Sequence, residues 1–306
     1  MHQFNLTYWI CFLAFAFFAI YIDLHYIGRR HKALSTKLSL GLTSVWFTIS
    51  MIFAGIIYIL KGSTFATEFV TGYIVELSLS MDNVFVFILI FSYFNIPKKY
   101  QHEVLFYGII SAIIMRMIFI LLGVALVQYF TWVFYIFGLL LMYSSYKIVS
   151  QKHTAAEISD NAYINLLTRY FKLTKEINSD KFFIRKKGVL HGTPLLIALL
   201  VIEKADLVFA IDSVPAVIAI TREPFIAFTS NVFAIIGLRT LYFVLANLID
   251  QLVYLKYGLC FILFYIGCKM FLLPLGIHIP TTVSLFVILS SLGGTAALSF
   301  MRKGLK

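Results

Sequence analysis

Nine apolar stretches, each close to or above the roughly 18 residues a helix needs to cross a hydrocarbon core, leave this chain few folds to choose from. They fall at about 7–27, 40–60, 69–93, 104–128, 131–149, 193–220, 226–249, 254–273 and 281–300. A bilayer offers no water to backbone N–H and C=O groups, so a spanning segment must satisfy them internally, as a helix does. With 61% hydrophobic residues and a mean hydropathy of +0.91, the composition excludes an ordinary soluble domain. The expected fold is all-α: a polytopic membrane protein of about nine transmembrane helices, forming one transmembrane domain over residues 1–306.

Positive loops stay on the cytoplasmic side, and here the asymmetry is steep. The connections after spans one, three, five and seven, with the C-terminus, carry eighteen Lys and Arg, against Lys61 and Arg222 on the other face. The N-terminus is therefore expected outside and the C-terminus inside, in a cell inner membrane crossed many times. The net charge of +11 is a consequence of this topology and does not point to nucleic acid; the basic long loop also suits contact with anionic lipid. The first apolar segment lacks a basic leader and a small-residue cleavage site and carries Asp23 near its end, so it reads as a retained helix. Cys11, Cys260 and Cys268 are far apart, with no metal-ligand spacing to His, which argues against a disulfide framework or a zinc site.

Residues 150–192 form the one substantial polar region, expected to be a cytoplasmic loop with a short amphipathic helix near Asn161–Leu173. The two sides of this loop repeat one another. Glu76 and Asp82 are six apart, as are Asp206 and Asp212; Asn83 and Ser213 follow the second acid of each pair. One helix later come Arg116 and Arg239, and one helix after that Tyr143-Ser-Ser-Tyr-Lys147 and Tyr265-Ile-Gly-Cys-Lys269. Three spans per unit reverse the direction of entry, so residues 69–149 and 193–273 read as two inverted three-helix repeats. Secondary transporters are built this way and hold their substrate near the midplane, where the repeats meet.

Each intramembrane charge costs roughly 2.5–3.5 kcal/mol on insertion scales, so Glu76, Asp82, Glu203, Asp206 and Asp212 need compensation. On a regular helix, residues six apart diverge by about 240°. Either the acids serve successive stations along a path, or the helices break so that side chains and freed carbonyls converge. A break is expected at Asp212, where Pro215 cannot donate to the Ile211 carbonyl, with a looser one near Ser80. The ligand set is oxygen-rich: the carboxylates of Glu76, Asp82, Glu203, Asp206 and Asp212, with Asn83 and Ser213. Such donors suit Mg²⁺, Ca²⁺ or Mn²⁺ better than copper or zinc. Met81 reads as apolar packing. Arg116 and Arg239 are the charge-compensating candidates, Asp23 a candidate pathway mouth, Lys147 and Lys269 snorkelling residues, and His102, His153, His191 and His278 solvated.

Along nearly the whole chain, from about Tyr21 to His278, the sequence closely resembles the TerC/Alx family of integral membrane proteins. The residues that carry this are Tyr73-Ile-Val-Glu76 with Asp82-Asn83-Val-Phe-Val-Phe, Phe91-Ser-Tyr-Phe, Tyr100-Gln-His, Met115-Arg116 and Ile211-Asp-Ser-Val-Pro-Ala216. To these add Thr229-Ser-Asn-Val-Phe-Ala234, Leu238-Arg239-x-Leu-Tyr-Phe243 and Tyr254-Leu-Lys-Tyr-Gly258. The resemblance implies manganese export from the cytoplasm, within a superfamily of exporters sharing inverted three-helix repeats. Where relatives often read Glu-Phe-Thr-Asp, this chain has Glu203-Lys204-Ala205-Asp206, a change that bears on metal selectivity more than on fold. The family name reflects tellurium resistance, for which the resemblance supplies no chemistry.

The expected function is thus export of a divalent metal, Mn²⁺ foremost, through a carboxylate-lined midplane site, with proton antiport as a secondary expectation. Neither an enzyme nor a resident cofactor is expected; the partners are the metal ion and membrane lipid. One rival is a membrane-protein assembly or scaffold factor whose buried acids pair with Arg116 and Arg239. An intramembrane aspartyl hydrolase using Asp82 and Asp212 is disfavoured by the missing Gly-x-Gly-Asp pattern.

Overall fold

The computed structural model describes residues 4–22, 36–150, 181–186, 189–248 and 254–304. Among them the chain forms nine α-helices: α1 (Leu6–Ile22), α2 (Thr36–Lys61), α3 (Ser63–Tyr93), α4 (Lys98–Tyr129), α5 (Val133–Ser150), α6 (Pro194–Ile218), α7 (Pro224–Leu248), α8 (Leu255–Leu272) and α9 (Thr281–Gly304). Four described segments are long and apolar enough to cross a membrane by length and composition: Lys37–Lys61, Lys98–Tyr129, Lys256–Leu275 and Thr281–Ser299. Leu6–Ile22 and Pro224–Leu238 are shorter apolar helices. Asp23 and the Asn161–Leu173 segment lie outside the described residues.

Local chemistry sets the helix limits. Gly62, at φ 92°, turns the chain between α2 and α3 in a conformation that a side chain would oppose. Asn95, at φ 51°, and Pro97, whose ring fixes φ ahead of the first turn, separate α3 from α4. Pro194 opens α6 at a position where a missing N–H costs nothing.

One element departs from the all-α expectation. Phe183–Lys186 (β1) pairs antiparallel with Val189–Gly192 (β2) inside what the sequence presents as a polar loop. A hairpin this short is marginal alone; here Thr193 anchors it, its N–H donating to the Phe182 carbonyl at 3.0 Å and its hydroxyl to the Lys181 carbonyl at 3.0 Å.

Six helices make the interior. The most extensive pairings are α5 with α8, α3 with α7 and α4 with α6, while α2 covers α3 and α7, α1 touches α7 and α9 lies on α8 and α3. Two apolar clusters stand apart along these helices. One gathers Val84, Phe87 and Phe91 of α3 with Leu195, Ile197 and Val201 of α6 and Leu241 of α7. The other gathers Val75 and Leu79 of α3, Ile120 and Val124 of α4, Val214 and Val217 of α6 and Ile262 of α8. The polar residues of α3, α4 and α6 fall in the interval between them. Outside, Phe17, Ile59, Leu122, Leu139, Phe264 and Phe286 are exposed, an apolar girdle that is stable where the surroundings are lipid.

Candidate functional site

Arg116 is the centre of the polar interval. It sits near the middle of α4 and is only 1% exposed. Its Nη1 donates to Glu76 Oε2 of α3 at 2.9 Å and to the Ser213 hydroxyl of α6, and its Nη2 stands 3.7 Å from Asp206 Oδ1 of α6. Glu76, Asp206 and Ser213 are buried too. A lone guanidinium buried this deeply would be costly, and these partners neutralise it. Even so, the knot is incomplete: among the described residues, Glu76 Oε1, Asp206 Oδ2 and Arg116 Nε have no hydrogen-bond partner.

Two cavities adjoin the knot. The first runs between α3, α4, α6 and α7 and is lined by Ser80, Asn83, Gly108, Arg116, Glu203 and Asp206, among apolar neighbours. Its Glu203 accepts at Oε1 from the Ser111 hydroxyl of α4. The second is lined by Asn83, Arg116, Ser144, Lys147, Asp212 and Ser213. There Ser144 of α5 donates to Asp212 Oδ1, and Lys147 lies within Coulombic reach of the same carboxylate.

Neither expected helix break occurs. The helix runs unbroken through Ser80 in α3 and through Pro215 in α6. Pro215 removes one ladder bond three residues before α6 ends, too late to unwind what precedes it. Continuous helices build the layer by another register: Glu76, Ser80 and Asn83 are offset by four and then three, and Glu203, Asp206 and Ser213 by three and then seven. Seven residues fall about 20° short of two full turns, so each set shares one face. Asp212, one position from Ser213, turns towards α5 and so leaves the stripe that holds Asp206.

The structure thus brings Glu76, Asp206 and Ser213 together around Arg116, places Asn83 at both cavities, and puts Glu203 in one and Asp212 in the other. The side chains of Asp82, Met81 and Arg239 lie outside the described residues, although their backbones belong to α3 and α7. Among the described residues no three His, Cys, Asp or Glu side chains form a group that could hold a metal ion by themselves. Ser111, Ser144 and Lys147 join the site without having been singled out as ligands. Lys147 carried a signal, its place in the repeated Tyr-x-x-x-Lys pattern, but snorkelling was the simpler reading of a helix-end lysine.

Two other expectations need correction. Lys269 does not snorkel: it is 4% exposed and donates to Ser284 Oγ at 3.0 Å, beside Tyr265, whose hydroxyl is 3.1 Å from the same oxygen. Helix α9 folds over that face of α8 and shuts the lysine in. Nor is His102 solvated: it is buried, as is Gln101 beside it, while Lys98 and Lys99 at the start of α4 stay exposed.

Comparison with known proteins agrees with the fold. Residues 61–305 match the family described as Integral membrane protein TerC family. An uncharacterized membrane protein of Rickettsia bellii is 39% identical over 285 residues, covering 92% of this chain and 94% of that one. Another, from Myxococcus xanthus, is 38% identical over 294 residues, 96% of this chain and 92% of its own. A protein of Escherichia coli strain K12 named Alx, and styled a membrane-bound redox modulator, is 40% identical over 276 residues, 87% of this chain and 86% of its own. No solved structure matches the chain. By the extent of these matches, the chain belongs to the TerC family of integral membrane proteins.

Proposed function

We propose that this protein is a transporter that exports a divalent cation, Mn²⁺ foremost, across the inner membrane, with its N-terminus outside and its C-terminus in the cytoplasm. The observation that carries this reading is the charge balance of the buried layer. Among the described side chains that make the knot and line the two cavities, four carboxylates, Glu76, Glu203, Asp206 and Asp212, face two cations, Arg116 and Lys147. An excess of two negative charges in a low-dielectric layer demands neutralisation, and one divalent cation or two protons would supply it. Exchange of one for the other follows, which supports proton antiport. The donors are hard oxygens, favouring Mn²⁺, Mg²⁺ or Ca²⁺ over softer metals.

Helix pairing supports the reading of residues 69–149 and 193–273 as inverted repeats within a bundle of nine transmembrane helices. If α3, α4 and α5 correspond to α6, α7 and α8, the α3–α7 contact maps onto α4–α6, and α5–α8 maps onto itself; these are the three most extensive pairings. Asn83 and Ser213 then become equivalents, as do Glu76 and Asp206. The family assignment agrees with transport rather than enzymatic work, and the metal preference itself comes from the oxygen donors and the motifs.

Purified protein in liposomes loaded with Mn²⁺ should release it, faster with an imposed pH gradient, and Asp206→Asn or Asp212→Asn should each lower the rate at least about tenfold, the effect of losing roughly 1.4 kcal/mol of cation binding. Competition with Ca²⁺, Mg²⁺ and Zn²⁺ would rank selectivity. Unchanged flux in both variants would remove the site assignment.

The pairing of Arg116 with Glu76 and Asp206 also favours a second reading, an assembly factor in which buried charges position helices. In that case neutralising both sides together, Arg116→Gln with Glu76→Gln, should leave activity intact. The redox name of relatives does not extend to a disulfide within α8: Cys260 and Cys268 are eight residues apart, a rise of about 12 Å, beyond the roughly 7 Å between Cα atoms that a disulfide allows.

A further inference from the structure

Among the described residues that line them, the two cavities share only Asn83 and Arg116. Glu203 and Asp206 are on one side of this pair, Asp212, Ser144 and Lys147 on the other. Arg116 is held from both repeats at once, by Glu76 of α3 and by Asp206 and Ser213 of α6. Its guanidinium therefore occupies the position through which an ion would pass from one carboxylate to the next. Buried oxygens point to a ligand that the arginine does not fully replace: Oδ2 of Asp206, a residue 6% exposed that lines the first cavity, and Oε1 of Glu76, a residue 0% exposed, have no hydrogen-bond partner among the described residues.

We propose, resting on the transport reading above, that the polar layer is two successive stations for a divalent cation and that Arg116 is a tethered resident cation closing the passage between them. The first station is Asp206 with Glu203 and Asn83, which line the first cavity; the second is Asp212 with Ser144, Ser213 and the same Asn83. A cation entering the first station replaces the arginine's positive charge at Glu76 and Asp206. This loosens Arg116 and opens the way to Asp212, where Lys147 supplies the repulsion that favours departure. Without such a substitute the guanidinium stays in place, because withdrawing it would leave two buried carboxylates uncompensated. The device explains why a continuous α6 with Asp206 and Asp212 six residues apart is useful: it sets the two acids at different depths and faces, as a relay requires.

The test reads access, not transport. In a background with Cys11, Cys260 and Cys268 replaced by serine, a single cysteine is placed at Ser111 or at Ser144 and the protein is reconstituted in liposomes. A membrane-impermeant thiol reagent is applied from outside or trapped inside. With Arg116 present, each cysteine should react from one face only. Arg116→Gln should make both react from both faces, the second face gaining on the order of tenfold in rate, whereas Arg116→Lys should keep access one-sided. Ser213→Ala, which removes one tether and leaves the ion pair, should give an intermediate gain and serves if Arg116→Gln does not fold. Added Mn²⁺ should reproduce the gain in the parent and add nothing in Arg116→Gln. One-sided access in both Arg116→Gln and Ser213→Ala, or two-sided access in the parent, overturns the barrier. Absence of Mn²⁺ flux together with a barrier that opens in Arg116→Gln would instead overturn the transport reading alone.

Discussion

At the residue scale the protein turns on how a buried arginine is tolerated. Breaking a buried ion pair from one side typically costs about 3–5 kcal/mol, because the abandoned partner stays charged and dry. Arg116→Met should therefore lower the thermal midpoint of the detergent-solubilised protein sharply, and adding Glu76→Gln and Asp206→Asn should recover much of the loss. Recovery below half would mean that the arginine acts through packing as well as charge. A separate buried group lies near Lys269, where Thr221 donates to Glu68 Oε2 at 2.6 Å and the lysine donates to Ser284. Its partners come from α3, α6's following turn, α8 and α9, so it ties the last helix to the bundle.

Helix packing decides what those residues can do. Helices α5 and α8 approach so closely at Gly138 and Gly267 that a Cβ on either would sit 3.0 Å from the other's carbonyl oxygen. Small residues allow such contact where lipid gives no hydrophobic drive to association. Gly138→Val or Gly267→Val should therefore lower the thermal midpoint and, by shifting α5 with Ser144 and Lys147, reduce any activity that depends on Asp212. Pro215 has the opposite expectation. Since α6 is already unbroken there, Pro215→Ala returns a donor to the ladder and should leave the midpoint unchanged or raised, with Mn²⁺ flux retained; a collapse of flux would mean that the freed Ile211 carbonyl is a ligand after all.

For the molecule as a whole, the membrane sets the terms. Impermeant labelling of cysteines placed singly at Lys61 and Lys256 in right-side-out vesicles should reach the first and spare the second, as the Lys and Arg asymmetry demands. The same cysteine-free background bears on the redox naming of relatives. If Cys11, Cys260 and Cys268 can all become serine without loss of Mn²⁺ flux, thiol chemistry in this chain is not part of its mechanism. The Ser145 hydroxyl, which donates to the Cys260 carbonyl at 2.9 Å and lies 3.1 Å from its Sγ, shows that Cys260 sits in a packed helix contact between α5 and α8.

Helix positions, membrane class and the carboxylates and Arg116 of the candidate site could be read directly, because hydropathy over some 18 residues needs no knowledge of neighbours and a charge at that depth is conspicuous whatever surrounds it. The TerC motifs were equally local. What no linear reading could supply was the grouping. The six-residue spacing of Glu76 with Asp82 and Asp206 with Asp212 drew the eye and suggested broken helices; the seven-residue stripes of Glu76 with Asn83 and Asp206 with Ser213 are what α4 meets. The hairpin at Phe183–Gly192 escaped for a related reason, since its anchors are Thr193 and the Phe182 ring stacked edge-on to Tyr107 at 5.2 Å. Which carboxylate shares a cavity with which depends on helix rotation and contact, and those are fixed by long-range packing between residues as far apart as Arg116 and Ser213.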